Sequence, residues 1–442
     1  MSSLLYTLLT VYVSLADCLA MSDAGSPAIA GARLEVEAAR EQKAEALWEY
    51  FPGVKFTAGG YKAFDPLVKV TLRDVLGNSD AAMEISERTS AYAYENGMKP
   101  YFQTMGWGYS LGVLAIQPLY AGGRIVSGNR LAALGVEASE IQSDIAVRKT
   151  REEIESKYWQ VVALQEKAAT LDETEKLLCS IEKDALSAVS AGVATENDLL
   201  QVRLKQKELA SGRIRLRSGL KLAKMDLFNA IGMQYSYLGI DDYVLSDSPD
   251  GLPEPSELIV PEDEVPRSDE SRLLEMQVQG KQLEKKMQVG EYLPQVGVGL
   301  GYSYGNLMGS NGGGSFNGAA FAMVQVPLSD AGKAAHRARR YDSRIRKAQL
   351  EQEYLDAQLA LQLRKLRLDM ESAWEQMQVA AEAVEVAADS QRRQQESFAA
   401  GLCTASELLQ SVTALRSATE EHIQKCIDYR IACSEYLHRC GK

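Results

Sequence analysis

The sequence predicts a mainly α fold with a small β part: a tandem repeat in which two short amphipathic strands lead into a long coiled-coil helical hairpin. Three observations predict it. Separate motif pairs share one offset, four segments alternate with period two, and the stretches between them are long and proline-free.

The repeat comes first, because it sets every boundary. Pro118-Leu119-Tyr120-Ala121-Gly122-Gly123-Arg124 aligns with Pro327-Leu328-Ser329-Asp330-Ala331-Gly332-Lys333 at an offset of 209. Ala191-Gly192-Val193-Ala194-Thr195 aligns with Ala400-Gly401-Leu402-Cys403-Thr404, again at 209. Equal offsets leave no net insertion between the anchors, as coiled-coil register demands. Tyr50-Phe51-Pro52 aligns with Tyr292-Leu293-Pro294 at 242, so the first repeat carries 33 extra residues, an outer loop at about 62–106. Loops absorb such length changes at little cost. The first repeat is 14–232, an acidic Pro-rich connector 233–268, and the second repeat 269–442.

Each strand alternates large apolar side chains with small or polar ones. Val296, Val298, Leu300, Tyr302 and Tyr304 alternate with Gly297, Gly299, Gly301 and Ser303. Trp107 to Val113 repeats the pattern, as do Val54, Phe56 and Ala58. The fourth strand, Phe316 to Val326, is less regular, with Phe321 and Met323 off its apolar face. Strands of about ten residues suit a tilted crossing of a bilayer. The glycines are expected to keep the second face open. A soluble half-buried sheet is the bland alternative, although interior glycine weakens such a strand. Four transmembrane strands cannot close a barrel in lipid, so further copies must supply the rest.

From about Gly128 to Ser190 the chain lacks proline and is rich in good helix formers. Leu164, Leu171, Leu178 and Ala185 are spaced by seven, and Ala373, Ala380 and Ala387 keep that register in the second copy. Each hairpin turns at a glycine, near 190–195 and near 399–404, with Thr195 and Thr404 placed to cap the returning helix. On the helices alone, a non-pore elongated coiled-coil scaffold is the alternative, and the attached strands weigh against it.

Composition removes other classes. The net charge of −12 disfavours nucleic acid. No apolar run reaches the length of a membrane-spanning helix. Six cysteines form no C-x-x-C pair, and three histidines show no metal spacing, so no enzyme, cofactor or metal is expected. Cys426, Cys433 and Cys440 lie seven apart, a packed helical stripe. Residues 1–13 are leader-like but lack Lys and Arg, and Leu15-Ala16-Asp17-Cys18 faintly resembles a lipoprotein cleavage site.

Together the Ser14–Leu19 segment with Ser26-Pro27, Tyr50-Phe51-Pro52, the Leu119–Arg124 turn and the Gly192-Val193-Ala194-Thr195-x-x-Asp198 tip resemble the outer membrane efflux protein (TolC-like) family. The resemblance spans nearly the whole chain, from about Ser14 to Leu437. It recasts Cys18 as part of a first helix. It implies a homotrimer with a 12-stranded barrel in the outer membrane of a Gram-negative bacterium, and helices in the periplasm. It also implies a periplasmic adaptor and an inner-membrane pump as partners, and passive conduction of exported substrates. By the same resemblance, Gly192, Val193, Ala194, Thr195, Gly401, Leu402, Cys403 and Thr404 are adaptor-docking candidates. Glu407 and Gln410, with Asp198 and Gln201 in the first repeat, match the family's pore constriction. Glu407 at a helix start is also what the helix dipole alone favours.

Overall fold

The computed structural model describes residues 11–64, 68–98, 101–104, 107–192, 194–236, 239–249, 251–261, 265, 267–306 and 314–441. Strand β1 (Val11–Val13) precedes helices α1 (Leu15–Gly25) and α2 (Pro27–Trp48), then β2 (Gly53–Lys62). The insertion holds β3 (Val68–Thr71), α3 (Leu72–Leu76), α4 (Asp80–Glu95) and β4 (Tyr101–Thr104). Strand β5 (Trp107–Ala121) runs into α5 (Arg124–Ser190), which turns back as α6 (Glu196–Ile231). The connector contributes β6 (Tyr243–Leu245) and α7 (Pro255–Leu258). The second repeat follows as α8 (Asp269–Gly290), β7 (Gln295–Asn306), β8 (Ser315–Gln325), α9 (Ala331–Ala399) and α10 (Ala405–Arg439). The fold is mainly helical with a small β part.

The 209-residue offset is carried in the backbone. Helices α5 and α9 end at Ser190 and Ala399, and α6 and α10 begin at Glu196 and Ala405. Left-handed glycines follow both return helices, Gly232 at φ 79° and Gly441 at φ 76°. Contacts divide the chain into two units, one of 41–134 with 279–346 and one of the remaining residues.

The first unit is built on a four-stranded antiparallel sheet of order β2-β5-β7-β8. Strands β2 and β8 are its edges. Directly opposed residues share a face. Phe56 faces Val113, Val113 faces Tyr302, and Ala115 faces Leu300. This face is apolar, and Val54, Phe56, Leu300, Tyr302, Phe316 and Val324 on it are exposed. The glycine-bearing face is less open than the alternation suggests. A Cβ on Gly299 would come within 2.3 Å of the Phe321 ring, and one on Gly108 within 2.7 Å of the Tyr61 ring. Phe321 leaves the apolar face because it fills the space that glycine vacates across the strand pair. Pro118, which cannot donate to the ladder, sits at the β5–β7 register shift.

Aromatic rings gather at both ends of the strands. Trp107, Tyr109, Tyr302, Tyr304 and Phe316 form one chain of contacts, the closest pair being Tyr304 and Phe316 at 4.7 Å. At the other end Trp48 and Phe51 lie 5.3 Å apart, with Tyr50 and Tyr120 exposed nearby. The insertion, expected as a loop, carries its own antiparallel β3–β4 pair and two capped helices. Ser79 accepts from the Ala82 amide to start α4, a local signal that the length comparison does not use.

The second unit packs its helices around three apolar clusters. One gathers Val13, Cys18, Trp159, Phe228, Ile240 and Leu245. Residues 11–13, the end of the leader-like stretch, pair in parallel with β6, and Cys18 is fully buried in α1. Burial pushes the Cys18 thiol up to about 12. A second cluster joins the hairpin tips, and a third sets Val260 against Met370, Tyr429, Cys433 and Tyr436. The expected cysteine stripe is buried at Cys426, Cys433 and Cys440. The seam is buried at Leu171, Leu178, Ala185 and Ala380. The connector is less irregular than its prolines suggest. The Tyr429 hydroxyl donates to the Pro253 carbonyl at 2.6 Å, and the Tyr158 hydroxyl donates to Asp247 at 2.7 Å.

Candidate functional site

The two hairpin tips have the same local construction. Helix α5 ends at Ser190 and α9 at Ala399, and Gly192 and Gly401 both adopt φ 72°. That left-handed conformation is open to glycine at no steric cost, so the chain reverses there. Val193 lies outside the described residues. Capping boxes then start the return helices. The Thr195 amide and hydroxyl both donate to the Asp198 carboxylate, at 2.9 and 2.7 Å, and the Asp198 amide donates back to the Thr195 hydroxyl at 3.3 Å. Thr404 and Glu407 repeat the arrangement at 2.8, 3.1 and 3.3 Å. Each box satisfies helix-end amides that would otherwise lack partners.

The tips meet through an apolar cluster that includes Leu178, Ala185, Leu199, Phe398, Ala405, Leu408 and Val412. The Thr195 hydroxyl is the main cause holding Asp198 below the ordinary carboxylate value, and the Ala405 backbone amide of the other tip adds to it. Cys403 is half-buried and its thiol bonds the Gln394 carbonyl at 3.4 Å. Burial raises that thiol, with the nearby Glu407 charge adding to the effect. Leu402 is 81% exposed, an apolar side chain in the turn of the second tip.

The four constriction candidates sit on one register. Glu407 and Gln410 are exposed, and Asp198 and Gln201 are half-buried. On α10 the exposed row continues through Ala414, Ser417 and Glu421, all small or polar, while Leu408, Leu409 and Val412 face the cluster. Such a row can line water and repel or attract ions. Among the described residues no group of His, Cys, Asp and Glu is placed to hold a metal.

Two features lay beyond the motif reading. Arg213 bridges Asp172 and Glu175, both at 2.7 Å, and Arg203 meets Glu182 at 2.8 Å, so charge pairs stitch α5 to α6 behind the tip. Their positions flank the heptad seam, where such pairs are to be sought. Far from the tip in sequence, Glu155 of α5 accepts from Ser434 at 2.5 Å and lies 3.4 Å from His438 of α10. Hydrogen bonding to Glu155 is the main cause raising His438. Burial alone would raise Glu155, but the bonds from His438 and Ser434 outweigh it and hold it below its ordinary value.

Among the described residues the chain thus combines a sheet with one apolar exposed face and two edge strands, β2 and β8, with paired helical hairpins whose tips are capped. The family model described as Outer membrane efflux protein matches residues 275–432, within the second repeat. The whole chain has the fold of TolC-like channels. It is similar to CusC, studied for conformational changes accompanying folding and transmembrane channel formation, at TM-score 0.75 and 12% identity over 98% of this chain and 93% of that one. It is similar to the outer-membrane channel OprN at TM-score 0.73 and 15% identity, covering 97% and 89%. It is also similar to the outer membrane protein VceC of Vibrio cholerae at TM-score 0.72 and 12% identity, covering 97% and 96%. A search of curated protein sequences matched none.

Proposed function

We propose that three copies of this chain form the outer-membrane duct of a tripartite export system, conducting substrates passively from periplasm to exterior. The observation that carries this reading is the sheet: four strands, an exposed apolar face, and both edges unpaired. An unpaired edge is not tolerated in hydrocarbon, and closure needs roughly eight strands or more. Three copies supply twelve. Aromatic rings at both strand ends suit the two interfaces of an outer membrane.

Supporting this, α9 exposes Tyr354, Leu361 and Leu368, then Val379 and Val386, each set spaced by seven. Exposed heptad rows call for helices of another copy. The helical hairpins then lie in the periplasm of a Gram-negative cell. Their tips, from Gly192 to Thr195 and from Gly401 to Thr404, meet an adaptor bound to an inner-membrane pump. The row from Glu407 and Gln410, with Asp198 and Gln201, lines the narrowest part.

The test is mass and conductance together. Purified protein in detergent is expected at the mass of a trimer, and it should give stepwise single-channel currents in planar bilayers. A water-soluble monomer without conductance overturns the reading in favour of a coiled-coil scaffold.

A further inference from the structure

We infer that the junction between neighbouring copies is specified by charge, the basic start of α9 in one copy meeting the acidic end of α2 in the next. This rests on the multi-copy duct proposed above and names the contact that orders it.

Topology supplies the pairing. The sheet has two edges, β2 and β8, and strand directions alternate across it. A ring of identical chains therefore closes by setting β8 of one copy antiparallel to β2 of the next. Helix α2 runs directly into β2, and α9 leads directly out of β8. The edge helices must meet where the edge strands do. Each has room for a partner. Residues 41–45 and 47–49 are all exposed, and so are Lys333, Arg339, Arg340 and Arg344.

Charge supplies the specificity. Residues 333–346 hold Lys333, Arg337, Arg339, Arg340, Arg344 and Arg346 against the single acid Asp342, in a chain whose net charge is −12. Residues 41–49 hold Glu41, Glu45 and Glu49 against Lys43 alone. Asp342 is already taken by Lys285 at 2.5 Å. Arg340 and Arg344 stack on the Tyr341 ring at 5.8 and 5.0 Å, which aligns their guanidinium groups without neutralising them. Among the described residues, Glu41, Glu45, Glu49, Arg339, Arg340 and Arg344 make no ion pair within the chain.

The interior helices lack this pattern, which ties it to the edge. The segment 209 residues before 333–346 is 124–137, with only Arg124 and Arg130 as cations. It leads out of β5, which has a neighbouring strand on both sides. The matching end of α8, 283–291, leads into the interior strand β7 and is balanced, Lys285 and Lys286 against Glu284 and Glu291, where α2 is acidic. The depths overlap where Glu41 lies about 10 Å from the sheet end of α2, at 1.5 Å per residue, and Arg339 and Arg340 lie about 12 and 14 Å from that of α9.

Three variants of the full chain test this: Arg339→Glu with Arg340→Glu and Arg344→Glu; Glu41→Lys with Glu45→Lys and Glu49→Lys; and all six together. Light scattering in detergent at low salt reads the assembled fraction, and far-ultraviolet dichroism checks helix content. Like charges set opposite one another suppress the contact. Each triple variant should therefore lose assembly by about tenfold or more, and the sixfold variant should regain most of it. If a reversal fails to fold, the Arg→Gln and Glu→Gln versions should show the same direction with a smaller loss. Triple variants that assemble like the unmodified chain, or a sixfold variant no better than the triples, overturn the inference. So does a silent α2 variant beside an α9 variant that loses binding to anionic phospholipid vesicles, which would assign the arginines to headgroups. An unmodified chain that is monomeric sinks the duct itself, whereas an unmodified oligomer indifferent to every reversal sinks the charge contact alone.

Discussion

The two repeats match from tip to tip but not where strand becomes helix. In the first, Gly122 and Gly123 both turn left-handed, at φ 62° and 76°, before α5 begins. In the second, a 3-10 turn at Leu328–Asp330 leads straight into α9, and Gly332 already lies inside the helix. A Cβ on Gly122 would sit 2.0 Å from the Gly290 carbonyl oxygen, yet the residue aligned with it is Ala331, the first of α9, whereas Gly123 and Gly332, which align with each other, both have nothing within 4 Å. The same motif, aligned at the same offset, therefore carries different physical demands. Hairpin length is held by coiled-coil register along many turns. The junction answers only to its immediate neighbours.

The largest expected effect breaks that equivalence directly. Gly122→Ala should lower Tm sharply or prevent folding, because the backbone strain of about 1–3 kcal/mol adds to a clash with a fixed carbonyl. The second repeat already has alanine at the aligned position, Ala331, and the next residue of its junction is equally permissive: Gly332→Ala should be neutral or stabilising by up to about 1 kcal/mol. Thermal melts of both variants in one detergent check this, and equal losses would undo the distinction. At the tips the repeats should behave alike. Gly192→Val with Gly401→Val should impair adaptor docking and efflux while leaving the oligomer intact. Unchanged efflux would count against the tip as the docking point.

A smaller effect separates the caps. Thr195→Ala and Thr404→Ala should each cost about 1 kcal/mol of local stability, seen as faster amide exchange in the first turn of α6 or α10. Each loss should speed exchange mainly at its own tip, because each box is closed by its own threonine and acid. Subtler still is the pH dependence of the Glu155–His438 contact. His438 is raised from 6.5, so its contribution is complete below 6.5 and is lost as pH rises through the raised value. Glu155 is lowered from 4.5, so its contribution is complete above 4.5 and is lost as pH falls through the lowered value. The stabilisation is therefore full between about pH 4.5 and 6.5. The Tm difference between the unmodified chain and His438→Gln should shrink from pH 6 to pH 9. A difference that grows over that range would show the sign to be wrong.

Much of this architecture was legible because it is periodic or punctuated. Seven-residue spacing marked Leu171, Leu178 and Ala185, and a glycine before a threonine marked each tip. What stayed hidden has no local signature. Three residues of β1 cannot display a period, and their partner β6 lies more than 200 residues away. Phe321 looked out of place because its reason, Gly299, is on another strand. The prolines of the connector correctly excluded long helices there, but not the tyrosines of α10 and α5 that hold it. Of the candidate site, the tip turns were readable. The occupation of Asp198 and Glu407 by their own threonines needed only the Thr-x-x-acid spacing, which is the capping-box signature.

The free edges of β2 and β8 also bear on how the protein reaches its working state. A lone chain that met the bilayer would leave two rows of backbone groups without partners, so insertion should wait for encounter with other copies. Maturation then becomes a concentration-dependent step, faster at high synthesis rates and stalled at low ones. A pulse of newly made chains should pass through a monomer whose lifetime shortens as expression rises. Until that encounter the exposed apolar face of the sheet is a liability, since it offers a surface for aggregation.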